Sequence, residues 1–252
     1  MSDWRYKLKT FAFASRNTKE ILRDKLNIAF GIGFPVIVLL LLSLIQHNVP
    51  VELFAIEKLA PGIAVFGLSF IALFSGTLIA KDRTSSFILR LFTSPMKSEH
   101  FIMGYTLPLL PLAILQTIVC FVVALFLGLN ISANLLLTIL VTIPSAVLFI
   151  GIGLLCGSLF NDKQVGGVCG AILTNLSAWL SGTWFDVELV GGGFKTIANL
   201  LPFVHAVNAG RYALSGEYGK ILPELLWVVA YALIVMTVAI CVFTRKMNSD
   251  NS

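Results

Sequence analysis

The chain has 252 residues, of which 57% are hydrophobic and only 12% are charged, and its mean hydropathy is +0.90. Soluble domains contain about 25% charged residues, so this composition excludes an ordinary soluble protein and indicates an all-α integral membrane protein. The net charge of +5 does not indicate a nucleic-acid partner, because the basic residues follow the predicted membrane topology.

Long stretches without Asp, Glu, Lys or Arg mark the predicted membrane spans. A helix needs about 20 apolar residues to cross a hydrocarbon core about 30 Å thick. The charge-free stretch 100–161 is long enough to cross twice, and it divides at Gly128 and Asn130, which favour a turn. The stretch 196–210 is too short to cross. The sequence therefore predicts six spans in the domain 28–244, at 28–45, 59–80, 102–127, 135–160, 164–185 and 225–243.

Basic residues predict the orientation of the chain, since Lys and Arg are retained on the cytoplasmic side. With the N-terminus inside, fourteen Lys and Arg residues fall in inner segments, and only Lys58, Lys195, Arg211 and Lys220 fall in outer ones. Both termini, including the tail 245–252, are thus predicted to be cytoplasmic, and the lipid membrane is the surrounding partner.

The N-terminal segment 1–27 has the pattern of an amphipathic helix. At 100° per residue one stripe is cationic, and it contains Arg5, Lys9, Arg16, Lys19 and Arg23. The neighbouring stripe is apolar, and it contains Trp4, Leu8, Phe11, Leu22 and Leu26. We interpret it as a helix lying in the inner membrane interface; a solvated helix with one stripe facing the core is the alternative.

The loop between spans two and three predicts a second amphipathic helix, at about 84–95. Its apolar residues recur at the spacing of one helical face and are Phe87, Ile88, Leu91 and Phe92. Pro95 disfavours helix at Ser94 and ends the segment. Such a helix suits docking to a partner; a plain interfacial helix that covers the bundle is the alternative.

The connection 186–222 between spans five and six is long for a loop. It carries two apolar pieces, 197–201 and 203–209, parted by Pro202. We expect a pair of short helices re-entering the outer leaflet, which requires surrounding protein. The functional reading is an outer gate formed with Pro202 and Arg211, and the alternative is an extracellular cap. Half-buried Arg211 needs a partner, for which Glu217 and Asp186 are both candidates.

Together these regions resemble the ABC type-2 permeases. The stretch "KDRTSSFILRLFTSPMKSEHFIMGY" is similar to that family's charged pair, short helix, Ser-Pro turn and start of span three, and "LPFVHAVNAGRYALSG" is similar to the Pro-to-Arg segment before the last span. One departure is that Lys81, Asp82 and Arg83 replace the usual Glu-rich, Gly-containing start of the coupling segment. Length, span number and both inner termini fit the family.

The resemblance implies the transmembrane half of an ATP-driven exporter in a bacterial cytoplasmic membrane. The coupling helix would contact a separate ABC ATPase, which binds the ATP and Mg, through Arg83, Phe87, Ile88, Leu91, Phe92, Ser94 and Pro95. This chain has no Walker motif, since "GGGFKT" at 191–196 lacks the Gly before Lys, so no catalytic residue, cofactor or metal is expected in it. A second permease copy, identical or homologous, would complete the pathway.

Polar and aromatic residues inside the predicted spans are candidates for lining that pathway. They are Phe70, Phe74, Gln116, Asn175 and Ser177, and for each of them ordinary helix packing is the alternative. A lining poor in charge suits amphipathic or apolar cargo, such as a drug, an antimicrobial peptide or a lipid-linked molecule. Polysaccharide or teichoic acid export is the alternative within the family.

Other classes of membrane protein fit the sequence less well. A proton- or sodium-coupled carrier usually places an ionisable group at membrane depth, and none of the six predicted spans contains Asp, Glu, Lys or Arg. No channel filter is visible, and no nucleophile stands beside Asp186 and Glu188 to suggest a membrane enzyme. A structural or sensor subunit outside the ABC class remains an open alternative at this point.

Overall fold

A computed structural model describes the backbone of residues 2–49, 52–84 and 98–249 and the side chains of 8–49, 52–84 and 98–246. The described chain is helical almost throughout and contains no β-strand. The predicted coupling helix at about 84–95 lies almost entirely outside the described residues.

The helices follow one another with short connections. They are α1 (Ser2–Arg23), α2 (Lys25–Asn48), α3 (Ile56–Thr84), α4 (Ser98–Phe126), α5 (Asn134–Leu159), α6 (Asp162–Val165), a π-helical segment (Gly166–Leu173), α7 (Thr174–Leu180), α8 (Val187–Val190), α9 (Gly192–Leu200), α10 (Pro202–Ser215) and α11 (Tyr218–Ser249). A 3₁₀ turn, Glu52–Phe54, precedes α3.

Five of these helices are long and apolar enough to cross a membrane. They are α2, α3, α4, α5 and α11, and they coincide with five of the six predicted spans. The predicted span 164–185 corresponds to α6, the π segment and α7, a helical run that ends at Leu180 before a turn. That run is not one long α-helix, so a sixth crossing stays a prediction.

Helix α3 is the centre of the bundle. Of its most apolar window 83% is buried, compared with 28% for α2 and 17% for α11. Glycines let α5 approach it closely: a Cβ on Gly153 would lie 2.0 Å from the Ala72 carbonyl oxygen, and one on Gly157 would lie 2.3 Å from that of Gly76. The prediction that Gly153 and Gly157 permit close packing is confirmed. The same expectation for Gly166 is wrong, because a Cβ on that residue would meet nothing within 4 Å in the described chain beyond its own helix.

Helix α1 lies against α4 with a face that the wheel did not assign to the interior. Its buried residues are Thr10, Phe13, Ala14 and Asn17, while the predicted apolar stripe is exposed, with Phe11 and Leu22 both 63% accessible. An exposed apolar stripe beside basic residues is what an interfacial helix presents to lipid. Asp24 separates α1 from α2 and caps α2 by accepting from the Asn27 amide.

Two short helices fill the connection before α11. Leu201 is extended between α9 and α10, and Pro202 begins α10 at a position where its missing N–H costs nothing. Gly216, with φ +81°, ends α10 in the left-handed region. The two helices occupy the expected segments; that they re-enter the outer leaflet stays a prediction.

Candidate coupling and transport site

The end of α3 that leads into residues 85–97 carries a buried acidic residue, Asp82, which is 4% exposed. Arg16 of α1 donates to both of its carboxylate oxygens, at 2.6 and 2.8 Å, and the Tyr105 hydroxyl of α4 donates at 2.9 Å. Bidentate Arg–carboxylate pairs combine strength with fixed geometry. Asp82 therefore joins α1, α3 and α4 at one point.

The pair is held in its ionised form. Burial lowers the pKa of Arg16, but the hydrogen bond and the charge of Asp82 outweigh burial and raise that pKa above its ordinary value. Arg16 thus differs from its prediction as a cation facing lipid phosphates: its guanidinium turns into the protein. The reason is that Asp82 provides a buried carboxylate, which a charge pair must neutralise.

Aromatic packing reinforces the contact between α1 and α4. The Phe13 ring lies edge-on to Tyr105, with centroids 4.9 Å apart, and fits over Gly104, where a Cβ would lie 2.4 Å from the ring. The Asn17 side chain donates to the Gly104 carbonyl at 3.0 Å. The N-terminal helix is therefore docked on the bundle and is not a free anchor.

Arg83, the next residue, reaches in another direction. Its guanidinium donates to the carbonyls of Gly157 and Ser158, at 2.9 and 2.7 Å, at the end of α5. The last carbonyls of a helix have no intrahelical partner, and a cation there also favours the helix dipole. Arg83 thus binds α3 to α5, and its predicted contact with an ATPase stays a prediction.

We call Asp82, Arg83 and their partners Arg16 and Tyr105 the inner clamp. It ties α3 to α1, α4 and α5 immediately before the loop that contains the predicted coupling helix. The other predicted coupling residues lie outside the described residues; they are Phe87, Ile88, Leu91, Phe92, Ser94 and Pro95.

Gln116 and Ser177 are fully buried and do not face an open channel. Gln116 lies against Gly67, where a Cβ would be 2.2 Å from its amide nitrogen. Its amide oxygen and the Ser177 hydroxyl find no partner among the described residues. Both are packing residues within this chain, as the alternative interpretation had it, although each retains unused hydrogen-bonding capacity.

The candidate phenylalanines divide in the same way. Phe74 is 6% exposed and covers Gly31 of α2, so it belongs to the core. Phe70 is half-buried in a cluster of rings, 5.2 Å from Phe34 and 5.8 Å from Phe66. Phe70 is therefore the one of the two with a partly accessible ring.

Asn175 lies on the outward face of α7. It is exposed, and its side chain donates to the Ala171 carbonyl of its own helix at 2.8 Å, while no acceptor or donor contact of its amide oxygen is found in the described chain. Its exposed neighbours are apolar and include Ile172, Leu176 and Trp179. The π-helical segment precedes it, and such segments are rare and frequent at functional sites.

At the opposite end of the bundle a cavity of about 520 Å³ opens beside Arg211. Its charged and polar lining includes Glu57, Lys58, Asp186, Asn208, Arg211 and Glu217. Arg211 donates to the carbonyls of Lys58 and Gly182 at 3.0 and 2.9 Å. Backbone carbonyls are therefore its direct partners, and they join the start of α3, the turn after α7 and α10.

Neither predicted acid forms an ion pair with Arg211 among the described residues. Glu217 pairs with Lys220 at 2.6 Å, and Asp186 caps α8 by accepting from Glu188 at 2.8 Å. Burial lowers the pKa of Arg211 to about 10, and the more distant charge of Asp186 offsets only part of that shift.

Sequence reasoning missed two ionic contacts: the Arg16–Asp82 pair, and a pair between His205 of α10 and Glu224 of α11. A charge within or beside an apolar run was the available signal in each case. As for metals, no three His, Cys, Asp or Glu side chains come together as a ligand set in the part of the chain that the structure describes.

Comparison with known proteins identifies the family. Residues 9–215 match the ABC-2 type transporter family. The chain is also 26% identical over 204 residues to ABC transporter G family member 20 of Dictyostelium discoideum, an alignment that covers 76% of this chain and 27% of that protein. The chain thus spans about a quarter of the length of that relative. Since the family match covers most of the sequence, the chain belongs to the ABC-2 type transporter family and is a multi-pass membrane permease.

Proposed function

We propose that this chain is the membrane-spanning subunit of an ATP-driven exporter and that a separate ABC ATPase, which binds the ATP and Mg, drives it. The inner clamp carries the proposal. Asp82 and Arg83 directly precede the predicted coupling helix, and hydrogen bonds of 2.6–2.9 Å tie them to α1, α4 and α5. A partner that displaces the loop would pull on all these helices at once.

The clamp suits force transmission because of where it is buried. The Asp82 side chain is 6% exposed, so moving it away from Arg16 leaves an unpaired charge in a poorly solvated place, which costs about 3–5 kcal/mol. Packed contacts of this kind shift as units between discrete arrangements. The cheaper response to displacement of α3 is therefore that α1, α4 and α5 move with it.

A second permease copy is proposed to complete the pathway. Asn175 exposes a polar amide on an otherwise apolar face, beside the π-helical segment and Trp179. A polar group facing lipid is costly, and polar residues within spans usually face other helices or water. A pathway between two copies, lined by Phe70 and Asn175 from each, resolves that cost. A lining so poor in charge suits amphipathic or apolar cargo moved outward by alternating access.

The proposed location is a bacterial cytoplasmic membrane, with both termini in the cytoplasm. The support is the excess of basic residues on the side of the inner clamp. The exposed apolar stripe of α1 would then rest in the inner interface.

Co-purification tests the proposal. The full chain is expressed with the ATPase encoded beside it and isolated in nanodiscs, as the native protein and as Phe87→Asp/Leu91→Asp. The matched control, Ser86→Asp/Thr93→Asp, adds the same charge to the opposite face of the predicted helix. We expect the native chain and the control to retain the ATPase and the apolar-face variant to lose it while staying monodisperse.

Equal retention by all three proteins, or by none, would contradict the assignment of 84–95 as the coupling helix. To test for the second copy, a cysteine at Ile172 or Trp179 is oxidised in the membrane. A disulfide-linked dimer supports the pathway between copies, and its absence from both positions argues against it.

A further inference from the structure

His205 lies between two hydrogen-bond acceptors. Its Nδ1 contacts the Glu224 carboxylate, and its Nε2 lies 2.8 Å from the backbone carbonyl oxygen of Asn199. Both side chains of the pair are largely buried, at 12% and 19% exposed. Neither a carboxylate nor a carbonyl donates a hydrogen, so both ring nitrogens must donate for both contacts to be favourable.

A neutral imidazole has only one N–H, and therefore satisfies one of these acceptors and turns a lone pair toward the other. The doubly protonated ring satisfies both. The Trp227 indole supports the cation, because the two rings are stacked with centroids 5.2 Å apart and an interplanar angle of 5°. Burial lowers the pKa of His205, but the Glu224 and Asn199 hydrogen bonds and the Glu224 charge together raise it above its ordinary value.

Glu224 is the charged side chain in contact with this ring among the described residues. The elements packed against α10 include α3, α5, α7, α9 and α11, of which α5 and α7 contain no Asp, Glu, Lys, Arg or His. The other charged groups are paired or engaged elsewhere: Lys58 with Glu52, Lys195 with Glu188, Lys220 with Glu217, and Arg211 with backbone carbonyls. Glu57, at the outer end of α3, lines the cavity beside Arg211.

The same face of α11 holds the corner between α9 and α10 at a further point. The Tyr231 hydroxyl donates to the Leu200 carbonyl at 2.7 Å, and its ring lies 6.1 Å from Trp227. Glu224, Trp227 and Tyr231 stand at i, i+3 and i+7, which is one helical face. The corner at residues 199–202 is thus fixed to the last long helix largely through one titratable ring.

We propose that His205 and Glu224 form a proton-binding latch that holds the α9–α10 corner against α11 and releases it when His205 loses a proton. On release the proton passes to water on the outer side, Glu224 stays a carboxylate, and the remaining N–H pairs with only one acceptor. The other ring nitrogen then opposes an acceptor, which weakens the corner. The latch rests on the proposed function in one respect: its consequence would be an outer gate that opens more readily as external pH rises.

The protonation state is tested by ¹⁵N NMR of histidine side chains in the full chain in nanodiscs. The chain has three histidines, so His205→Asn assigns the His205 signals by their loss. We expect both His205 nitrogens to be protonated at neutral pH and the transition to move to lower pH in Glu224→Gln. A His205 ring that is neutral at pH 7, or a transition unchanged by Glu224→Gln, would overturn the proposal.

The release is tested by a distance measurement that needs no ATPase. Spin labels are placed at Asn199→Cys and Leu226→Cys, both exposed positions, in a Cys241→Ser background. We expect a narrow distance distribution below the His205 transition and a broader, longer one above it, with no pH response in His205→Asn/Glu224→Gln. A distribution that ignores pH although His205 titrates refutes the latch. Failure of ATPase binding would refute the exporter and leave these two results standing.

Discussion

Replacing Arg16 with Ala removes the bidentate partner of a carboxylate that is buried at the base of the coupling loop. Breaking a buried ion pair from one side costs about 3–5 kcal/mol, because the remaining charge is unpaired. The Arg16 side chain is 31% exposed, so water reaches the pair and we expect the lower end, about 3 kcal/mol. Tyr105→Phe removes one hydrogen bond to a charged group, for which about 1.5–3 kcal/mol is typical.

A triple variant separates stability from coupling. Arg16→Met/Asp82→Leu/Tyr105→Phe replaces the three polar groups with apolar ones of similar size, an exchange that is often neutral for stability. We therefore expect its thermal midpoint in detergent to lie near that of the native chain, above Tyr105→Phe, with Arg16→Ala lowest. The variant has nevertheless lost the directional contact between α1 and the end of α3.

The assay for that loss is ATP-dependent transport by the permease and its ATPase in proteoliposomes. We expect the triple variant to bind the ATPase normally and to transport poorly, so that ATP is hydrolysed without movement of cargo. Full transport by this variant would refute the force-transmission role of the clamp. Equal melting of Arg16→Ala and the native chain would refute the energetic reasoning about a buried pair.

Further predictions concern packing, the pathway and pH. Gly153→Ala should destabilise the bundle by about 1–3 kcal/mol, since its Cβ would lie 1.9 Å from the Ser75 hydroxyl; Gly33→Ala, with nothing within 4 Å, is the control, and equal melting of the two variants would contradict the packing. Asn175→Leu should change folding stability by less than about 0.5 kcal/mol, because the site is exposed, yet alter transport; unchanged transport would argue against a pathway there. Because the folded pKa of His205 is raised, its contribution to stability should be full below about pH 6.5, the ordinary histidine value, and be lost as pH rises through the raised pKa. Glu224→Gln should remove that loss from melting curves, and identical pH profiles would count against the pair.

Membrane spans were predictable because the bilayer imposes a length and excludes charge, and both leave a mark in the linear sequence. The five long helices and the close glycine contact of α5 with α3 follow from those marks. The break of the fifth predicted span into α, π and α segments did not. A π-helical segment is a small local change of hydrogen bonding that hydropathy does not register, although Gly166, Gly167 and Gly170 indicated weak α-helical preference.

The partners of charged residues were beyond the sequence, because they depend on which helices become neighbours. Arg16 and Asp82 are 66 residues apart, and a helical wheel shows a cationic stripe without showing the carboxylate that one member meets. Arg211 illustrates the same limit, since its partners are carbonyls of a helix start and a turn, which carry no sequence signal. Glu224 precedes the last predicted span, but it lies within the first turns of α11 and there meets His205.

A photo-crosslinking measurement tests the central claim most directly. p-Benzoylphenylalanine is placed at Phe87 or Leu91, on the apolar face of the predicted coupling helix, and at Ile197 as an outer control, in the full chain in native membranes with its ATPase. The account predicts an adduct with the ATPase from Phe87 and Leu91 and none from Ile197. No adduct from either inner position, or an equal adduct from Ile197, would contradict an ATPase docked beneath the inner clamp.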